Sequence, residues 1–413
     1  MCRRIILELM KNIIDRNFLL TTDVARRLYH DVASICPVID YHCHLDVVAI
    51  AEDRRFENLY ELWIEGDPYK HRAMRILGVP EEEITGAADP MTKFKRWAES
   101  IPQLVGNPLF DWSAMELHRY FGITEMLSPD SAERIWNHCR ECLQTAEFSA
   151  RGLLRKGEIE VVCTSDLLGD DLSIHEELRQ SSLGFRILPS LRDASHVDEE
   201  RFRVFESLGC VIADHAVSSP DGLDGLDVLA EAYAKRGWSM QLHLGALRKT
   251  SSRLREIAGA SGGYAGIAAG FDPCSVSRFL DQLEARGALP NTVIYPLNPG
   301  DYAAYATLTG SFTQSGVRGK IQLGPAWWWN DHRRGMREHL DCLASYGVLS
   351  SFLGMTTDSR SLLSMVRHEY FRRVLCEWIG EQVVAGTMPD EWVVLEPLVR
   401  RLSYGNAKQF LKL

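Results

Sequence analysis

Eight short apolar runs, each followed by a stretch with helical periodicity, constrain this chain's fold more than any other feature. They are Val38–His42, Glu160–Cys163, Phe185–Leu191, Cys210–Asp214, Met240–Leu244, Thr292–Leu297, Lys320–Leu323 and Phe352–Thr356. Apolar strands alternating with helices predict a parallel sheet covered on both faces. Eight of them fit a closed (β/α)8 TIM-type barrel better than an open doubly wound sheet. No Gly-x-Gly-x-x-Gly follows any run, which weighs against a dinucleotide fold.

The spacing is uneven in one place. Residues 47–157, between the first run and the second, show helical periodicity, as in Met126–Glu147. One crossover helix needs far less chain, so this stretch reads as a helical insertion between strands 1 and 2. The expected organisation is 1–46 as N-terminal helix and first strand, 47–157 as insertion, and 158–413 as the rest of the barrel. Residues 16–35 read as an amphipathic helix capped at Thr21-Thr22-Asp23, and Glu369–Gln382 and Pro389–Leu402 as closing helices.

Location and partners are bounded by charge and cysteine use. With 46 basic and 56 acidic residues the net charge is −10, which argues against a nucleic-acid or membrane-surface partner. A few local arginines would still suffice for an anionic small molecule. Met1–Glu8 starts like a signal peptide, but Glu8, Lys11 and Asp15 interrupt its apolar core. Ten cysteines are too sparse for a disulfide scaffold, and the Cys139/Cys142 pair has no second pair to make a zinc knuckle. A cytoplasmic location is expected.

The runs end in polar residues, where a barrel of this type gathers its chemistry. The first ends His42-Cys43-His44, and strand residues two apart face the same way, so both imidazoles point inward and form half of a divalent-metal site. Either histidine alone would more plainly be a satisfied core residue. The other ends carry Asp166, Arg192-Asp193, Asp214-His215, His243, Trp327-Trp328-Trp329-Asn330-Asp331 and Asp358-Ser359-Arg360. Ionisable groups there are costly unless paired or metal-bound, so the cluster reads as an active site.

His-x-His on the first strand with an Asp on the eighth resembles the amidohydrolase superfamily. The surrounding text is similar to uronate isomerases. The matching stretches include Asp40-Tyr41-His42-Cys43-His44-Leu45, Gly66-Asp67 with Tyr69-Lys70, Gln241-Leu242-His243-Leu244-Gly245-Ala246-Leu247-Arg248, Trp327-Trp328, Thr357-Asp358-Ser359-Arg360 and Arg367-His368-Glu369-Tyr370-Phe371-Arg372-Arg373. They run in order over nearly the whole chain. Two departures stand out. Pro68 occupies the place of a family histidine before Tyr-Lys, with His71 three residues on. The stretch between His215 and Gln241 is also short.

The resemblance implies interconversion of aldose and ketose hexuronates, D-glucuronate to D-fructuronate or D-galacturonate to D-tagaturonate, through a cis-enediol. It implies Asp358 as the proton shuttle, Arg360 stabilising enediolate charge, Tyr69 as a hydroxyl donor, and Arg192 receiving the substrate carboxylate. His42, His44 and Asp358 would hold one divalent metal ion, Zn²⁺ being the ion the ligand types favour. His243 stands open between ligand, substrate contact and core residue, and Trp327 and Trp328 between sugar wall and packing. Asp214 and His215 are candidates for orienting other groups. The partner implied is a small-molecule hexuronate, and a homo-oligomer is compatible. Two competing readings are a metal-dependent hydrolase (lactonase or deacylase) and a non-catalytic sugar-acid-binding barrel.

Overall fold

A computed structural model of the protein describes residues 14–413, so the Met1–Glu8 reading lies outside the described residues. The strands are β1 Val38–Asp40, β2 Ile159–Cys163, β3 Asp166–Leu167, β4 Arg186–Leu188, β5 Leu191–Arg192, β6 Ile212–Val217, β7 Ser239–Leu244, β8 Ala246–Leu247, β9 Gly266–Ile267, β10 Thr292–Pro296 and β11 Ile321–Leu323. One parallel ladder runs β1-β2-β4 and another β11-β10-β7-β6-β5-β3. They join into one wall, because Thr164 N–H donates to the Leu188 carbonyl at 3.0 Å and Asp166 N–H to Ser190 at 2.9 Å. β2/β3 and β4/β5 are thus two strands, each with a break. The architecture is a TIM-type (β/α)8 barrel, with β8 and β9 as a small antiparallel pair beside it.

Seven of the eight apolar runs contain strands. The eighth, Phe352–Thr356, contains none, and Gly354 supplies the reason. Its φ is +85°, outside the extended region, and a Cβ there would lie 2.1 Å from the Leu402 carbonyl oxygen. The segment still lies against the first strand: Asp358 N–H donates to the His42 carbonyl at 3.0 Å, and His44 N–H to the Ser359 carbonyl at 2.8 Å.

The barrel interior is filled by alternate residues of its wall. Ile39 and Tyr41, Val161 and Cys163, and Val293 and Tyr295 pack in one buried cluster with Leu353 and Trp327. Gly324 leaves the Tyr295 ring its space, since a Cβ there would fall 2.5 Å from it. A larger apolar cluster lies between the wall and the helices.

Between β1 and β2 the chain contains helices and no strand. Their starts are written locally. Asp46, Asn58, Asp67, Asp89 and Asn107 each accept backbone N–H groups at a helix N-terminus, and proline follows three of them, in Pro68–Ile76, Pro90–Ser100 and Pro108–Phe121. The periodicity over Met126–Glu147 narrows to the helix Ala132–Leu143. The helix expected over 16–35 begins only at Asp23, where the Thr22 hydroxyl oxygen accepts the Ala25 N–H at 3.1 Å. Before it, turns close at Asp15–Phe18 and Asn17–Leu20, and Leu19 takes φ +63°. Among the described residues no helix is long and apolar enough to cross a membrane.

Candidate active site

A cavity of about 460 Å³ opens at the C-terminal ends of the strands. His42 and His44 enter it from the chain after β1, Arg192 from β5, His243 from β7, and Trp327 and Trp328 from the turn after β11. Asp358 and Arg360 follow the eighth segment, and Tyr69 reaches in from the helix Pro68–Ile76. The nine residues for which the resemblance implies a part in catalysis, substrate contact or metal binding therefore line one cavity.

Asp358 is its centre. Its Oδ1 lies 3.0 Å from His44 Nε2 and 3.3 Å from His42 Nε2, and its Oδ2 accepts the Trp328 Nε1–H at 2.6 Å. Its φ of +49° is left-handed, a conformation that Asp tolerates better than most residues but one that must be held by its surroundings. Burial opposes ionisation of Asp358, yet hydrogen bonds from His42 and His44 hold its carboxyl well below the usual carboxylate range. Burial likewise opposes a charge on His42, but the carboxylates of Asp214 and Asp358 outweigh it and bring its pKa up to about 9.

A second group converges from below. His42 Nδ1 and Asp214 Oδ1 are 3.9 Å apart, both are buried, and neither has a hydrogen-bond partner among the described residues. The His243 ring lies 4.6 Å from that of His42 and stacks on Tyr295 at 4.4 Å. Burial, and then the neighbouring His42, push the His243 pKa well down, so it is neutral. Two sets of ligand atoms, His42/His44/Asp358 and His42/Asp214/His243, each fall within 4.8 Å of one another. Imidazole nitrogens and carboxylate oxygens drawn together around orphaned buried atoms fit a divalent cation.

Some strand-end residues turn away. β6 alternates, so Asp214 faces the cavity while His215 faces outward and bonds the Tyr233 hydroxyl at 3.0 Å. His215 therefore orients no cavity group directly. Asp166 accepts the Thr164 hydroxyl at 2.7 Å and faces His175 instead of the cavity.

Arg192 forms no ion pair among the described residues, and the neighbouring Asp193 accepts the Ala216 N–H at 2.8 Å. Arg360 is at the rim and reaches Ser261 Oγ at 3.2 Å. Tyr69 packs edge-on against Trp329 at 5.2 Å, and burial raises its hydroxyl pKa well above normal, so it stays a donor. Pro68 is the first residue of its helix, and its carbonyl oxygen would meet a Cβ on Gly263 at 2.2 Å. His71 is buried one turn on and does not line the cavity, so it does not take the place that Pro68 vacates.

Several cavity residues had no role assigned from sequence. Arg248 lies over the Trp328 ring at 4.8 Å. Arg367 is buried against Asp331, Nη1 to Oδ2 2.6 Å, and over Trp112 at 4.9 Å. Both arginines stand inside matched stretches, which was the available signal. The buried Lys70, bonded to Asp67 at 2.5 Å and 3.8 Å from Glu116, stands in the matched Tyr69-Lys70 pair too, but its approach to Glu116 was not legible, because Glu116 is remote in sequence.

Comparison with known proteins gives a consistent result. A family model described as glucuronate isomerase matches residues 10–202 and 223–411. The chain is 39% identical to the uronate isomerase of Geobacillus thermodenitrificans, covering 98% of this chain and 100% of that one. Identity to the uronate isomerase of Haemophilus influenzae is also 39%, with 98% and 100% covered. Among solved structures, a uronate isomerase from Thermotoga maritima superposes with a TM-score of 0.88 at 29% identity, covering 96% of this chain and 99% of that one. The glucuronate isomerase of Caulobacter crescentus gives 0.88 at 21% identity, with 97% of each covered, a likeness of fold.

Proposed function

The chain belongs to the uronate isomerase family, and from that premise we propose how its own residues share the reaction. The activity is aldose–ketose interconversion of hexuronates, D-glucuronate with D-fructuronate or D-galacturonate with D-tagaturonate. Carbon C2 loses a proton and C1 gains one, while O1 gains a proton and O2 loses one through the cis-enediol. Family membership favours this over a hydrolase or a non-catalytic sugar-acid barrel.

Asp358 takes the C2 proton and returns it at C1. Arg360, in the same cavity, balances the negative charge that builds on the enediolate oxygens. Tyr69 donates its hydroxyl to a sugar oxygen. Arg192 receives the substrate carboxylate, for which its planar fork allows two parallel hydrogen bonds. His243, Trp327 and Trp328 wall the sugar. His42, His44 and Asp358 would hold one divalent ion, Zn²⁺ by ligand type, which when bound supplies Lewis-acid polarisation of a sugar oxygen.

One observation carries this reading: an ionised carboxylate, Asp358, is fixed from three sides in a cavity that also holds Arg192, which has no ion-pair partner among the described residues. The test is incubation with D-glucuronate and D-galacturonate in D₂O, followed by NMR. The expected result is ketose formation with loss of the C2 proton signal. No ketose and no exchange, with Zn²⁺ supplied, would overturn it. We further propose a cytoplasmic enzyme with neither nucleic acid nor membrane as partner, divided at residues 46/47 and 157/158. A homo-oligomer is compatible with it.

A further inference from the structure

The barrel wall has no β-ladder between β1 and the eighth segment, and this is the seam at which His42 and Asp358 meet. We propose that Asp40 is a positioning residue: with Thr356 and Thr357, its carboxylate replaces the missing ladder and fixes Asp358 against His42 and His44. The proposal rests on the reading above of these three as the proton-transferring and metal-holding groups.

Asp40 is wholly buried and does not line the cavity, so it has no access to substrate. Its Oδ1 accepts the Thr356 hydroxyl at 2.6 Å and the Thr357 N–H at 2.7 Å, and its Oδ2 accepts the Thr357 hydroxyl at 2.5 Å. His368 Nε2 lies 3.5 Å from Oδ1. A buried carboxylate is costly unless satisfied; His368 stands beside this one, and its three hydrogen bonds come from the two residues that precede Asp358.

The same atoms grip the facing strand. Thr356 Oγ1 accepts the His42 N–H at 2.8 Å, while the His42 carbonyl accepts the Asp358 N–H at 3.0 Å. Both backbone groups of His42 are thereby tied to residues 356 and 358, and the backbone N–H of residue 357 is tied to Asp40. A left-handed Asp358 cannot continue a regular ladder, so side chains take over the pairing that the backbone gives up. The Asp358 carboxylate then reaches both imidazoles only while this seam keeps its register.

The test uses the full chain, freed of metal by chelation and titrated with Co²⁺ against a competing chelator, with visible spectra, kcat, KM and Tm recorded. Asp40→Asn and Thr356→Val are expected to weaken Co²⁺ binding and lower kcat by about 10- to 100-fold, with KM nearly unchanged. Thr356→Ser, which keeps the hydroxyl, is expected to recover most of both. Asp40→Asn is the variant most exposed to misfolding, and Thr356→Val then carries the test. If Tm falls while Co²⁺ affinity, spectrum and kcat per folded molecule stay at wild-type values, the proposal is overturned. Asp358→Asn separates the two levels: wild-type Co²⁺ affinity and turnover in that variant would refute the reading of Asp358 itself.

Discussion

Trp328 donates its indole N–H to Asp358 Oδ2 at 2.6 Å, leaving Oδ1 to the two imidazoles. The indole thus fixes the rotation of the carboxylate that carries the proposed chemistry, and Trp328 itself takes a left-handed φ of +51° to do so. A hydrogen bond to a charged group contributes about 1.5–3 kcal/mol. Trp328→Phe is therefore expected to lower kcat about 10- to 100-fold while the C2 proton still exchanges. Asp358→Asn is expected to abolish that exchange, a loss of at least about 10²–10⁴-fold. NMR in D₂O measures both.

Arg192 forms no ion pair among the described residues, which leaves its fork free for the carboxylate recognition proposed above. Arg192→Met is expected to raise KM for either hexuronate about 10- to 100-fold, with a smaller effect on kcat. Arg192→Lys should recover only part of it, because an ammonium cannot make the paired contact. Steady-state kinetics decide; an unchanged KM would remove the arginine from carboxylate recognition.

Arg367 and Asp331 form a buried pair beside the cavity, and burial pushes the Asp331 carboxyl up to about 6 despite the arginine. Removing one partner strands the other. Arg367→Met is expected to destabilise the fold by about 3–5 kcal/mol, and the double variant with Asp331→Leu to recover much of it. Urea midpoints of the three proteins test this.

Two histidines away from the catalytic cluster predict acid sensitivity. Burial lowers the pKa of His215 and of His339 from 6.5 to about 4; His215 bonds Tyr233, and His339 donates to the Gly324 carbonyl at 2.6 Å. As pH falls through 6.5 the unfolded chain takes up these protons first, so stability is full above 6.5 and declines until the folded forms protonate near 4. Each group accounts for a loss on the order of 3 kcal/mol across that window. The urea midpoint should fall accordingly, and His339→Gln should flatten the slope by its share.

The barrel was legible because its strands are local apolar runs, and the helix starts because Asp or Asn caps, several followed by proline, are local too. The alternation of β6 was also readable, since it sends Asp214 inward and His215 outward. Gly354 was not readable as a strand breaker, because its constraint is the Leu402 carbonyl, supplied by a distant segment. The helix over 16–35 was overdrawn because apolar spacing continues through turns that the backbone closes earlier.

By itself the sequence determined the number of apolar runs, their polar ends and therefore which side chains could share a cavity. Tertiary structure alone decided how those side chains meet: Asp40 with Thr357, 317 residues apart, Trp328 with Asp358, and Lys70 with Glu116. Periodicity and capping act over a few residues, and a chain can be read for them. Hydrogen bonds across a closed barrel depend on which distant segments the packing brings within 3 Å, and no local pattern encodes that distance.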